Sequence, residues 1–117
     1  MYVYFIVVGD YEAVKIGTAK NVEHRVNQLQ TGNHKKLTVI RKIKCKSTKN
    51  AYHIEGELQR KYREYNISGE WFHPIVIIKG EFDGEEFDEI RHRAKKAVKR
   101  NQAIKVKIKS IYKKIPI

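Results

Sequence analysis

The chain has 117 residues, with 25 lysines and arginines against 13 aspartates and glutamates, and a net charge of +12. That length gives one domain with a single modest core, and the charge points to a polyanionic partner, most often nucleic acid, ahead of an anionic membrane surface. Cys45 is the only cysteine, which excludes an internal disulfide and a cysteine-rich zinc site, and no apolar run is long enough to span a bilayer. A reducing cytosol fits this usage. Cys45 falls in an alternating pattern and is expected as an inert core thiol.

The opening run, Tyr2 to Val8, is almost wholly apolar and rich in β-branched and aromatic residues, so a strand covered on both faces is expected. It lacks the basic start and small-residue cleavage site of a signal peptide. Gly9-Asp10 supplies a turn, and Ala13 to Ile16 returns as the second strand of a hairpin. Lys15 interrupts that strand, and Gly17 is expected to end it. Asn21 is a helix N-cap with Glu23 in the first turn. Val22, Val26 and Leu29 form the buried stripe of that helix, and Arg25 flanks it at about 60°. Thr31-Gly32-Asn33 stops the helix.

Leu37, Val39, Arg41, Ile43 and Cys45 alternate with Thr38, Ile40, Lys42 and Lys44, which reads as a half-exposed strand lined with cations. Ser47 to Asn50 caps a second helix whose stripe is Ala51, Ile54, Leu58, Tyr62 and Tyr65. Glu55 lies about 60° from the centre of that stripe and Glu57 about 100° away on the other side, so Glu55 is the carboxylate at the core's border. Asn66 to Gly69 breaks the helix. Glu70 to His73 returns as a short strand or hooked loop, with Trp71-Phe72 expected to plug the core. Ile75 to Ile78 is a candidate edge strand. From Glu85 a third helix is expected, with Phe87, Ile90, Ala94, Ala97 and Val98 inward. Its acids come first and its bases last, as the helix dipole favours. Beyond it Ile104, Val106 and Ile108 alternate with lysines, as a basic edge strand or a tail ordered on binding.

Three polar groups gather from neighbouring elements: Tyr4, Lys15 and Arg25. A nuclease needs a group that activates water, a group that holds the anionic phosphorus centre, and usually a divalent cation. Tyr4 is the candidate proton acceptor. Lys15 is either the cation beside it or a phosphate holder, and Arg25 is a candidate phosphate fork. Glu55 is the candidate metal ligand, because Mg2+ is often held by only one or two protein carboxylates. His24 and His53 are candidates for proton transfer. Arg91, Arg93, Lys95, Lys96, Lys99, Arg100, Lys105, Lys107 and Lys109 are the candidate phosphate-binding cations of the C-terminal segment.

The order of Tyr2-Val3-Tyr4, Lys15-Ile16-Gly17 and Asn21-Val22-Glu23-His24-Arg25 resembles the GIY-YIG endonuclease superfamily. Ala51-Tyr52-His53-Ile54-Glu55 and Gly69-Glu70-Trp71-Phe72 make it similar to a phage-associated branch whose second signature reads Lys-Ile-Gly. The resemblance covers about residues 2–75. It implies an α/β fold: a small mixed sheet built on an N-terminal hairpin with flanking helices, residues 1–80, followed by a basic helix and tail, residues 81–117. It implies hydrolysis of DNA phosphodiester bonds with one Mg2+ or Mn2+. Tyr4 then matches the first signature tyrosine, Arg25 the helix arginine and Glu55 the metal ligand. The chain departs from the pattern at three positions. Tyr2 replaces the first glycine, Lys15 the second tyrosine, and Gln59 a histidine often found on the glutamate's helix. Two other readings stand beside this one: a DNA-binding or inhibitory protein that keeps the scaffold without cutting, and a basic adaptor for an acidic protein.

Overall fold

The computed structural model describes the backbone of residues 1–103 and the side chains of residues 1–100. The first hairpin pairs β1 (Tyr2–Val8) with β2 (Ala13–Ala19). Strand β2 runs three residues past Ile16, because Gly17 pairs with Tyr4 instead of ending the ladder. Helix α1 (Val22–Thr31) starts on Asn21, whose side chain accepts the His24 N–H at 3.0 Å. Strand β3 (Leu37–Lys44) follows, then α2 (Thr48–Lys61), capped by the Ser47 hydroxyl on the Asn50 N–H at 3.0 Å. A short hairpin, β4 (Asn66–Ser68) and β5 (Trp71–Phe72), leads through two 3-10 turns to α3 (Asp88–Ala103).

The five strands form one sheet in the order β3-β1-β2-β5-β4. The expected α/β architecture, a small sheet on an N-terminal hairpin with flanking helices, is the observed one. Expected as mixed, the sheet is antiparallel in each described pairing, because α1 carries the chain over to β1's free edge and not beside β2. Strand β1 therefore lies inside the sheet, buried on both faces. On one face Val3, Phe5, Val7, Val14 and Ile16 pack with α2 and α3 through residues such as Ala51, Leu58, Ala94 and Val98. On the other, Tyr4 and Ile6 pack with Val22 of α1.

Three further expectations are corrected. The second helix ends at Lys61, with Tyr62 as its C-cap, and Tyr65 lies in a 3-10 turn, Arg63–Tyr65, instead of on the helix. The alternation of β3 is broken by a bulge at Ile40: Ile6 pairs with Val39, but Phe5 pairs with Arg41. Leu37 and Val39 therefore face α1 with Ile6, while Ile40, Ile43 and Cys45 join the opposite cluster. The Arg41 guanidinium follows them and lies 5.4 Å from the Phe87 ring centre. The run Pro74–Ile78 is a buried 3-10 helix and not an edge strand. Pro74 removes a ladder donor and presets the first turn, and the His73 imidazole Nδ1 accepts the Ile75 N–H at 3.1 Å. The Ile104–Ile108 run lies outside the described residues.

Candidate functional site

Residues directly opposite in an antiparallel pair share a face. Tyr4 stands opposite Gly17, and Lys15 stands opposite Ile6 on one side and Trp71 on the other. Tyr4 and Lys15 thus lie on the α1 face of the sheet, one step apart along the β1–β2 ladder. The Tyr4 ring lies against Gly17: a Cβ there would come within 2.5 Å of the Tyr4 Oη and 2.6 Å of Cζ. The glycine of Lys15-Ile16-Gly17 is therefore the seat of the tyrosine, and no side chain replaces it without moving the ring. Lys42 stands opposite Tyr4 on β3 and adds a second cation to this face, paired with Glu23 of α1 at 2.9 Å. That pair holds the Glu23 carboxyl below its usual range, through the hydrogen bond from Lys42.

Lys15 is buried, with 9% of its side chain exposed. Its Nζ donates to Glu70 Oε1 at 2.5 Å and lies 5.9 Å from the Trp71 ring centre. Glu70 occupies the turn ahead of β5, and its backbone carbonyl accepts the Ile16 N–H at 3.2 Å. The Glu55 carboxyl approaches from α2, on the opposite face of the sheet. Burial raises its pKa to about 7, the Glu70 carboxylate beside it adds to the rise through charge and a shared hydrogen bond, and Lys15 acts the other way. Lys15, Glu55 and Glu70 thus meet where β2 passes the β4–β5 hairpin. Among the described residues no group of three or more His, Cys, Asp or Glu side chains gathers. Two adjacent carboxylates suit Mg2+ or Mn2+, which keep several waters, and not a zinc caged by protein ligands.

The other expected residues are placed as follows. Arg25 is exposed on α1, the helix over the Tyr4 face, and its guanidinium reaches Gln28 at 3.4 Å; no described hydrogen bond joins it to Lys15 or Glu55. His24 is exposed beside it. His53 pairs with Glu57 at 2.7 Å on the outer face of α2, so neither belongs to the Glu55 group. Gln59 donates to the Ile16 carbonyl at 3.3 Å, tying α2 to β2 next to Lys15. On α3 the Arg91 guanidinium holds the carbonyls of Phe82 and Gly84 and pairs with Asp88, so it fastens the loop ahead of the helix. Arg93 pairs with Glu89 at 3.0 Å and Arg100 with the Asp10 carbonyl at 2.6 Å. Lys95, Lys96 and Lys99 are exposed. Lys105, Lys107 and Lys109 lie outside the described residues.

The residue that sequence reasoning missed is Glu70. Its motif is visible in the sequence, but its partners are 55 and 15 positions away, and a lone carboxylate beside a turn carries no signal of them. A family model described as the T5orf172 domain matches residues 1–102. No curated protein and no solved structure shows significant similarity to the chain.

Proposed function

The chain belongs to the T5orf172 domain family, and from that premise we propose that it is a metal-dependent DNA endonuclease of the GIY-YIG type. The observation that carries this reading is the convergence of Lys15, Glu55 and Glu70 on the sheet that also seats Tyr4 against Gly17. These four elements of a phosphodiester site come from β1, β2, α2 and the β4–β5 hairpin.

In this reading Glu55 holds Mg2+ or Mn2+. The chemistry supplied by the bound ion is Lewis-acid polarisation of a phosphoryl oxygen. Lys15 offsets phosphate charge as a buried ammonium, which counts for more where water is excluded. Arg25, on the helix over the same face, binds phosphate oxygens in a fork once the DNA backbone lies across α1. Tyr4, between the cations Lys15 and Lys42, takes the proton of the attacking water. The exposed Lys95, Lys96 and Lys99 bind phosphates without regard to sequence.

A second reading has one observation in its favour. Lys15 stands where the GIY-YIG signature has tyrosine, and it already carries a carboxylate partner, which suits a DNA-binding protein that does not cut. One experiment separates the two. Supercoiled plasmid is incubated with the protein with and without Mg2+ or Mn2+, beside Glu55→Gln and Arg25→Ala. Nicking by the wild type only with metal, lost by orders of magnitude in both variants at unchanged circular dichroism, is the expected result. DNA binding with no nicking under either ion hands the case to the second reading.

A further inference from the structure

Among the described residues Lys15 is the only lysine or arginine that is buried. An ammonium in such a place is costly unless an anion stands against it. Ile6 and Trp71 stand beside it as its neighbours on β1 and β5, and neither offers a full negative charge. Glu70 supplies it, at 2.5 Å, and the pair is lopsided: the lysine side chain is 9% exposed and the glutamate 46%. The cation is fixed inside the sheet while its anion faces water. The Glu70 backbone is pinned by the Ile16 N–H, so its side chain can turn away without disturbing the ladder. This is the geometry of a charge site whose occupant is exchangeable and whose receptor is not.

We propose that Glu70 is the positioning residue of Lys15, a resident anion that holds the ammonium in place and that a DNA phosphate displaces. The inference rests on the phosphodiester reading above and deepens it by naming what the phosphate must replace. Removing Glu70's charge therefore favours DNA by way of Lys15, not merely by making the protein more positive.

The test is a double-mutant cycle in metal-free buffer, so that nothing is cut. A short fluorescent duplex is titrated by anisotropy with the wild type, Glu70→Gln, Lys15→Met and the double variant, and with Glu57→Gln as a control for net charge. Glu70→Gln should tighten binding on the order of tenfold when Lys15 is present and less than about twofold when it is Met. Equal effects in both backgrounds, or an equal effect from Glu57→Gln, would overturn the proposal. The glutamine carbonyl still accepts from the ammonium, and circular dichroism checks the fold. If Glu70→Gln does not fold, Glu70→Asp keeps the charge at shorter reach; it should bind more tightly than wild type, and unchanged affinity there counts against the proposal. Coupling without metal-dependent nicking keeps this inference and sinks the nuclease. Nicking without coupling does the reverse, and no duplex binding by any variant overturns both.

Discussion

Burial on α2 and the neighbouring Glu70 carboxylate push the Glu55 pKa from 4.5 to about 7. The folded protein therefore holds this proton more tightly than the unfolded chain does. The resulting stability is fully present below pH 4.5 and is lost as pH rises through about 7. His73 runs the other way. Burial lowers its pKa from 6.5 to about 4, so its contribution is present above 6.5 and is lost as pH falls toward 4. The two slopes offset each other over the mildly acidic range. Glu55→Gln removes one of them. In metal-free buffer its unfolding free energy should match the wild type's near pH 4.5 and exceed it by on the order of 1 kcal/mol at pH 8, after allowing for solvent screening. Parallel thermal-unfolding profiles across that range would put the Glu55 carboxyl in solvent. A carboxyl whose ionisation is opposed by burial and by a like charge is a candidate functional group.

The element that carries Glu70 is the smallest in the sheet. The turn between β4 and β5 depends on Gly69, whose φ is +55° and whose absent Cβ would meet nothing within 4 Å. The constraint there is conformational and not steric. Gly69→Ala should cost about 1 kcal/mol in urea unfolding, and Gly69→Asn less, because asparagine tolerates the left-handed region. An equal cost for both would mean that packing, not φ, selects the glycine. Larger elements were legible in the sequence because their periods are strong. The apolar run of β1, the stripe of α1, the Ala51, Ile54 and Leu58 part of the α2 stripe, and the Asn21 and Ser47 caps are where the residues place them. The bulge at Ile40 left only a slip in the alternation, Val39-Ile40 followed by Arg41-Lys42, and the pairing with Phe5 and Ile6 shows it to be an extra residue. The 3-10 turn at Pro74–Ile78 escaped for a related reason: a short apolar run has no period to read when it is buried on every side. Of the candidate site, Tyr4, Lys15 and Glu55 could be singled out from their order in the chain. Glu70 could not, because an ion pair across 55 positions is made by topology.

At the scale of the molecule, charge is distributed by task. Lys15, Arg91 and Arg100 each answer to a partner within the fold, whereas Lys95, Lys96 and Lys99 on α3 face outward. Residues 104–117 add five lysines and no acid. Ending the chain at Ala103 keeps the buried Ala94, Ala97 and Val98 of α3, and circular dichroism checks that the fold is kept. Duplex affinity should fall, and the slope of log K against log salt should flatten by about 0.9 for each phosphate that is no longer neutralised. Equal slopes for the two lengths would assign DNA binding to α3 and the sheet alone. The sheet order also sets a schedule for synthesis. Strand β1 precedes the other strands in the sequence, yet it lies between β2 and β3, and the Phe5 ring waits for Phe82, 5.0 Å away in the finished fold. A chain still on the ribosome can close the β1–β2 hairpin early and cover one face of β1 with α1, but the other apolar face stays incompletely covered until α2 and α3 have emerged. Translation that stalls before α3 would leave a β-prone, low-charge segment in search of other edges.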